Sequence, residues 1–219
     1  MKLITLDKLN PFILVEEKPE PLYKSLLELH TADNFSIASN GHLAAIIYHS
    51  EDHNLNYTFG DSMDTIVSAI KYNHNRADED YKITIDRKLL LDSIKAQFKE
   101  VKALVKESHK EVLHKFEATT RITADYETYK FYIYTDTDLR DIHYRKYTIT
   151  EQPEMNIDVT KTRKKLENCT ALYNTKYLIE FLTFMAGYDQ ITINIGGGAA
   201  TGLRCAELDR EIILMPKGK

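Results

Sequence analysis

The sequence predicts an α+β fold in which antiparallel sheets carry their helices on one face. The chain has 219 residues with 14 Tyr and no Trp, and its runs of β-branched and aromatic residues favour strands. From residue 82 onward the predicted elements follow the order β-α-β-β-β-β-α-β-β-β. This order amounts to two βαβββ units in tandem, so we expect one domain over residues 82–219 and a separate unit over residues 1–81.

The first 81 residues contain short strand-like runs and one helix. Strands are predicted at residues 2–6, 23–30, 35–38, 42–49 and 55–59. The segment "DSMDTIVSAIKY" predicts a short helix that Asp61 can cap, with Ile66, Ala69 and Ile70 on one face. The polar stretch "NHNRADED" that follows marks the predicted domain boundary.

The remainder of the chain has a more regular pattern. "YKITI" predicts a strand, and Asp86 is placed to cap a helix over residues 87–115. Four strand candidates follow: "FEATTRITAD", "TYKFYIYT", "IHYRKYTIT" and "MNIDVT". A basic loop, "KTRKKLENCTALYN", is expected to lead into a second helix, "TKYLIEFLTFMA", before three last strands, "QITINI", "GLRCAEL" and "EIILM".

Cysteine content and hydropathy indicate the cellular compartment that we expect. The chain has only two cysteines, Cys169 and Cys205, which need not pair, and we expect them to be small packing residues. No signal peptide is apparent and no apolar run approaches the length of a membrane span. We therefore expect a reduced, cytoplasmic protein without a membrane partner.

Charge is unevenly distributed along the chain. Residues 1–80 carry 6 Lys/Arg against 13 Asp/Glu and the rest carry 23 against 20, so the first part is near −7 and the remainder near +3. In the first long helix the lysines recur at helical spacing and are separated from the glutamates by face. Such a row suits sequence-independent phosphate contact, although a solvated surface is the alternative. The predicted DNA-binding residues are Lys95, Lys99, Lys102, Lys106 and Lys110.

Three stretches together resemble a known family. They are "YNTKYLIEFLTFMAGYDQITINI", the terminal "EIILMPKGK" and the upstream "IASNGHLAAI". Each is similar to a segment of the bacterial β sliding clamp, the processivity subunit of the replicative DNA polymerase, and along the chain they occur in the clamp's order. In the last stretch Ser39 and Asn40 replace the family's Thr and Asp, and Leu43 stands where the family has Arg. The resemblance implies a DNA-clamp fold with a complete clamp-like domain over 82–219 and a shortened one over 1–81.

The same resemblance implies a binding pocket for a linear peptide. In the family, the Gly-His stretch and the terminal Met-Pro wall one hydrophobic pocket, and Met is well suited to varied ligands. Carried over to this sequence, the peptide-binding residues are Gly41, His42, Leu43, Ile213, Met215 and Pro216. A last strand buried in its sheet, with Gly41 in a plain hairpin turn, is the alternative interpretation.

Catalytic chemistry has little support in the sequence. "INIGGGAATGLR" lacks the Lys-Ser/Thr of a phosphate-binding loop and leads into a strand, so we expect a hairpin connection. His49 and His53 could suggest a metal-dependent hydrolase, but no third ligand is placed by spacing. We expect no catalytic residues, no metal and no cofactor.

The resemblance therefore implies a processivity factor that encircles duplex DNA without sequence preference and captures peptides of a polymerase or other replication proteins. We expect a homo-oligomeric ring, since one chain supplies too few domains to close one. The alternative is a clamp-like adaptor or decoy that binds partner proteins without encircling DNA.

Overall fold

The computed structural model describes most of the chain. The described residues are 6–13, 26–59, 61–76, 81–108, 117–125, 130–137, 156–158, 169–195 and 202–216. Among them are a 3-10 helix at Leu6–Phe12 and three α-helices: α1 (Asp61–Arg76), α2 (Arg87–Ser108) and α3 (Thr175–Phe184). The strands are β1 (His30–Thr31), β2 (Phe35–Ser39), β3 (Leu43–Tyr48), β4 (Tyr81–Asp86), β5 (Ala118–Asp125), β6 (Lys130–Thr137), β7 (Asn156–Asp158), β8 (Cys169–Asn174), β9 (Gln190–Ile195), β10 (Leu203–Ala206) and β11 (Arg210–Leu214).

The described strands form two antiparallel sheets. The larger has the order β1-β2-β3-β11-β10-β9-β4-β7, and the smaller has the order β6-β5-β8. The pairing of β3 with β11 inside the larger sheet joins strands from opposite parts of the sequence, with Ala44 opposite Ile213 and Leu43 opposite Leu214. The last described strand is thus held in the middle of the sheet by the β2–β3 hairpin.

Alternate residues of these central strands pack on opposite faces of the sheet, as strand geometry requires. On one face the buried side chains of α2 and α3 lie with Leu43, Ala45, Ile47, Ile212 and Leu214. On the other face the buried side chains of α1 lie with Ala44, Ile46, Tyr48 and Ile213. The sheet is therefore a middle layer, with α1 alone among the described α-helices on the second face.

The described elements from β4 onward follow the predicted tandem order, but the boundary between the two βαβββ units lies one strand later than expected. β4-α2-β5-β6-β7 forms one βαβββ unit and β8-α3-β9-β10-β11 forms the next. The predicted strand in "MNIDVT" exists as β7, but it pairs with β4 and ends the first unit. The strand that precedes α3 is β8, which lies in the segment expected to be a loop and pairs with β5.

Capping residues fix where α2 and α3 begin. The Asp86 side chain accepts a hydrogen bond from the Leu89 N–H at 2.7 Å, as predicted. Asn174 caps α3 in the same way by accepting from the Lys176 N–H at 3.0 Å. The helix predicted over 87–115 is seen from Arg87 to Ser108, and its predicted remainder lies outside the described residues.

Two predicted strands in the first part differ from the described structure, one throughout and one over most of its described residues. Residues 55–59 form an irregular segment, in which the Tyr57 N–H bonds back to the Leu55 carbonyl and the Phe59 N–H bonds to the Asp64 side chain. These local hydrogen bonds replace the interstrand hydrogen bonds that a β-strand would make. Of the strand expected at residues 23–30, the structure describes residues 26–30, where Leu26 begins a 3-10 turn and only His30 is in a strand. The predicted strand "IHYRKYTIT" lies outside the described residues, as do four of the five positions of the strand at 2–6.

Candidate peptide-binding pocket and lysine surface

An apolar cavity of about 200 Å³ lies between the β2–β3 hairpin, α1 and the end of β11. We call it the hairpin pocket. Most of its walls are aliphatic, and the polar atoms come from a few side chains at its edge. Its lining residues are Ser39, Gly41, His42, Leu43, Ala44, Thr65, Ile66, Ala69, Ile70, Ile213 and Met215.

The turn at the end of the hairpin is fixed by its own side chains. Asn40 Oδ1 accepts from the N–H groups of His42 and Leu43, at 3.0 and 2.9 Å. Ser39 Oγ accepts from the Gly41 N–H at 3.1 Å and donates to the Leu43 carbonyl at 2.7 Å. Gly41 has φ of +84°, a conformation that other residues rarely adopt. The local sequence therefore builds a preformed wall at this side of the pocket.

The end of β11 supplies the second wall. Ile213 is buried, Met215 is half-buried, and the Met215 N–H donates to the His42 carbonyl at 2.8 Å. This bond extends the β3–β11 pairing to the turn itself. Pro216 follows Met215 and is half-buried, but it does not line the cavity. The structure thus brings five of the six predicted peptide-binding residues around one cavity.

Helix α1 supplies the third wall, which the sequence did not assign to the site. Ile66, Ala69 and Ile70 were predicted to share one helical face, and this face closes the pocket together with Thr65. The signal in the sequence was the helical spacing of these residues. The spacing could not show that this helical face covers the sheet beside β11.

A stacked pair connects the pocket rim with α3. The rings of His42 and Tyr177 lie with centroids 5.3 Å apart and planes at 21°. Burial raises the pKa of Tyr177, with the Glu180 and Glu117 carboxylates adding to the rise. Because Tyr177 is in the first turn of α3, the rim is braced from the face of the sheet opposite α1.

A buried charged group lies next to the pocket on the same face of β11. Glu211 is 1% exposed and accepts from Arg204 Nε at 2.6 Å and from the Tyr48 hydroxyl at 2.7 Å. Burial raises the pKa of Tyr48 well above its ordinary value, and the Glu211 carboxylate adds to the rise. The three side chains tie β3, β10 and β11 together beside Ile213.

The row of lysines lies on the solvent side of α2. Lys95, Lys99, Lys102 and Lys106 are exposed, and no ion pair joins them to an acidic side chain of the described residues. The opposite side of the helix is anchored, since Ile94, Val101 and Val105 are buried. Lys110, the fifth predicted member, lies outside the described residues.

A chain of buried hydroxyl groups sets the rotation of α2. Thr135 Oγ1 donates to Gln97 Oε1 at 2.9 Å, while Thr120 Oγ1 lies 3.1 Å from Thr135 Oγ1 and 2.9 Å from Thr175 Oγ1. A hydroxyl has a single proton to donate, so the chain runs from Thr175 through Thr120 and Thr135 to Gln97. It links α3, the smaller sheet and α2, with the lysines facing outward.

The two histidines considered for a metal site bond to other groups. His49 Nε2 lies 2.8 Å from Ser36 Oγ, and His53 Nε2 lies 3.0 Å from the Leu208 carbonyl oxygen. His53 also stacks on Tyr48, with ring centroids 4.0 Å apart. Among the described residues, no three His, Cys, Asp or Glu side chains are grouped so that they could hold a metal ion.

None of the described helices combines the length and the apolar character needed to cross a bilayer.

Comparison with solved structures identifies the fold. The chain is similar to the DNA polymerase III β subunit of Caulobacter crescentus at 13% identity and a TM-score of 0.56, covering 97% of this chain and 62% of that one. A DNA polymerase III β subunit from Eubacterium rectale gives 12% identity and a TM-score of 0.59, over 97% and 62% of the two chains. The Borrelia burgdorferi β subunit, solved in complex with a natural product, gives 12% and 0.59, over 97% and 60%.

These comparisons confirm the predicted fold class: the chain has the α+β fold of bacterial sliding clamps. It spans about three fifths of the length of the clamps it matches. No family model matches the sequence. No curated protein matches it either.

Proposed function

We propose that the chain is a sliding-clamp-like processivity factor that holds duplex DNA without regard to sequence and captures a partner peptide in the hairpin pocket. The partner is a polymerase or another replication protein. The observation that carries the proposal is the convergence of five residues from distant parts of the sequence, assigned to peptide capture by resemblance, around one apolar cavity in a chain with the clamp fold.

The geometry of the pocket supports capture of a short extended segment. A preformed turn, a strand end and a helix face surround the cavity, so little chain ordering is needed before binding. Its mostly aliphatic lining favours apolar side chains, and Met215 offers an adaptable contact.

The lysine surface supports the DNA part of the proposal. Four exposed lysines on one helix are point charges suited to phosphate oxygens, and such contacts position a protein on a duplex without reading bases. In this proposal α2 faces the duplex, the ring is homo-oligomeric, and the protein acts in the cytoplasm without a catalytic residue, metal or cofactor. The division into units at 1–81 and 82–219 belongs to the same proposal.

The adaptor is the second candidate, and one observation favours it. All three walls of the hairpin pocket come from a single chain, so capture of a peptide does not require a closed ring. An adaptor would use the pocket alone and leave the lysine surface unoccupied.

Two measurements on the purified chain test these proposals. Light scattering with small-angle scattering over a concentration series gives the mass and shape, and selection from a random peptide display library tests capture. A stable oligomer with the profile of a hollow ring supports the clamp, whereas a strict monomer that still selects apolar peptides supports the adaptor. A chain that selects no peptide contradicts both, because each depends on the pocket.

A further inference from the structure

Gly202 lies against the wall of the hairpin pocket although it does not line the cavity. It is buried and comes one residue before β10. The next residue, Leu203, pairs with Leu214 of β11. This position places Gly202 beside the end of β11, where the strand supplies Ile213 and Met215 to the pocket.

A side chain at position 202 would collide with this wall. A Cβ atom built on Gly202 lies 2.7 Å from Ile213 Cγ2, 3.0 Å from the Leu214 carbonyl oxygen and 3.5 Å from Met215 Sδ. Isoleucine is stiff at χ1 because it is branched at Cβ, so its Cγ2 methyl group cannot turn away cheaply. The carbonyl belongs to the backbone of β11. Any larger residue at 202 must therefore shift the strand end or change the Ile213 rotamer.

The backbone conformation does not explain why glycine is found here. The described glycines with positive φ are Gly41 and Gly187, and Gly202 is not among them. An L-residue could adopt its φ, and replacing such a glycine by alanine ordinarily stabilises a protein through the unfolded chain. Glycine is needed at position 202 because the Ile213 and Met215 side chains approach its backbone closely.

We infer that Gly202 is a positioning residue of the hairpin pocket, whose missing side chain lets Ile213 and Met215 form its β11 wall. The inference rests on the proposed function, since it assigns a role in peptide capture. It also gives a use to the last glycine of "INIGGGAATGLR", a stretch without the residues of a phosphate loop.

The test compares four chains: the wild type, Gly202→Ala, Ile213→Leu and the double variant. Ile213→Leu removes the branch at Cβ while keeping the side-chain volume. Cys205→Ala is the matched control, because Cys205 lies in β10, the strand that follows Gly202, and its buried side chain packs on the face of the sheet opposite to Ile213. Methyl NMR spectra report on Ile213 and Met215 directly, and affinity is measured with a peptide that the wild type selects from the display library.

Gly202→Ala is expected to shift the Ile213 and Met215 methyl resonances and to weaken peptide binding about tenfold. In the Ile213→Leu background, Gly202→Ala is expected to weaken peptide binding by much less than tenfold. Such non-additivity is the coupling expected of residues in contact. Cys205→Ala should leave both readouts near wild type.

The inference is overturned if Gly202→Ala leaves both methyl groups unshifted, or if its affinity stays within about twofold of wild type. If Gly202→Ala does not fold, recovery of the fold in the double variant supports the contact with Ile213, and failure in both backgrounds overturns it. A wild type that selects no peptide contradicts the proposed function alone, and the methyl shifts still decide whether Gly202 positions this wall.

Discussion

The imidazole ring of His42 stacks on the phenol ring of Tyr177, with ring centroids 5.3 Å apart. His42 belongs to the rim of the hairpin pocket, and Tyr177 belongs to α3 on the other side of the sheet. The pair therefore braces the site proposed for peptides against a helix of the second βαβββ unit.

Removing this brace is expected to weaken peptide capture without unfolding the chain. A stacked aromatic pair contributes about 0.5–1.5 kcal/mol beyond the area it buries, so Tyr177→Ala should raise the peptide Kd roughly two- to tenfold. Tyr177→Phe keeps the ring and is expected to bind as the wild type does. Isothermal titration with a display-selected peptide measures both, and equal losses in the two variants would contradict a role for stacking.

A carboxylate placed inside the hairpin pocket should strongly weaken peptide capture. Ile66 lines the cavity from α1, and an apolar ligand cannot compensate an ionised side chain there. We expect Ile66→Asp to lower peptide affinity more than tenfold, measured by fluorescence anisotropy, while circular dichroism stays unchanged. Ser68→Asp is the control, because Ser68 is exposed on the same helix and does not line the cavity. Comparable losses in both variants would mean that the peptide binds elsewhere.

The lysine surface predicts a change in how DNA binding depends on salt. Each phosphate contact contributes about 0.9 to the slope of log K against log salt concentration, so Lys99→Gln/Lys106→Gln should reduce the slope by nearly 2. Lys8→Gln/Lys71→Gln removes the same charge from the acidic first part of the chain and should leave the slope unchanged. Anisotropy of a labelled short duplex over a salt series gives the values. Equal slopes in all three proteins would favour the adaptor.

Local signals in the sequence predicted much of this fold because the responsible bonds are local. Asp86 caps α2 from three residues before its donor, and Asn40 fixes its turn through the next residues. The pairing of β3 with β11 could not be predicted in this way. It joins Tyr48 to Glu211, 163 residues apart in the sequence, and only the resemblance suggested that these regions meet.

Two misses have physical causes of the same kind. β8 lies directly after a charged stretch and was expected to be a loop, although its backbone pairs antiparallel with β5. Gly202 was expected at the junction of a hairpin connection and the strand "GLRCAEL" and was given no role in the pocket, because the close approach of another strand leaves no signal in the sequence itself. In both cases the deciding partner is distant along the chain.

The C-terminal end of α3 should depend on Arg210 for stability. This side chain is 5% exposed, donates to the carbonyl oxygens of Phe184 and Ala186, and pairs with Asp209 at 2.8 Å. Arg210→Ala removes the donor to the buried Phe184 carbonyl and to the half-buried Ala186 carbonyl, and the free energy of unfolding should fall by about 3 kcal/mol in urea titration. Arg121→Ala removes an exposed arginine from β5 and should change it by less than about 0.5 kcal/mol. A loss of similar size in both variants would show that Arg210 has no special role.

Tyr188 is expected to make stability depend on pH in the alkaline range. Burial and the hydrogen bond from its hydroxyl to Asp209, at 2.9 Å, raise the pKa of Tyr188 from 10.0 to about 12. Between these values the folded chain holds a proton that the unfolded chain releases, so the contribution of Tyr188 to stability is complete below pH 10 and is lost as pH rises toward 12. Tyr48 and Tyr177 act in the same direction, since their pKa values are also raised. The urea midpoint should therefore fall over this range, and Tyr188→Phe should make the fall shallower by removing one of the titrating groups. If the urea midpoints of Tyr188→Phe and the wild type fall in parallel with pH, folding does not raise the pKa of the Tyr188 hydroxyl.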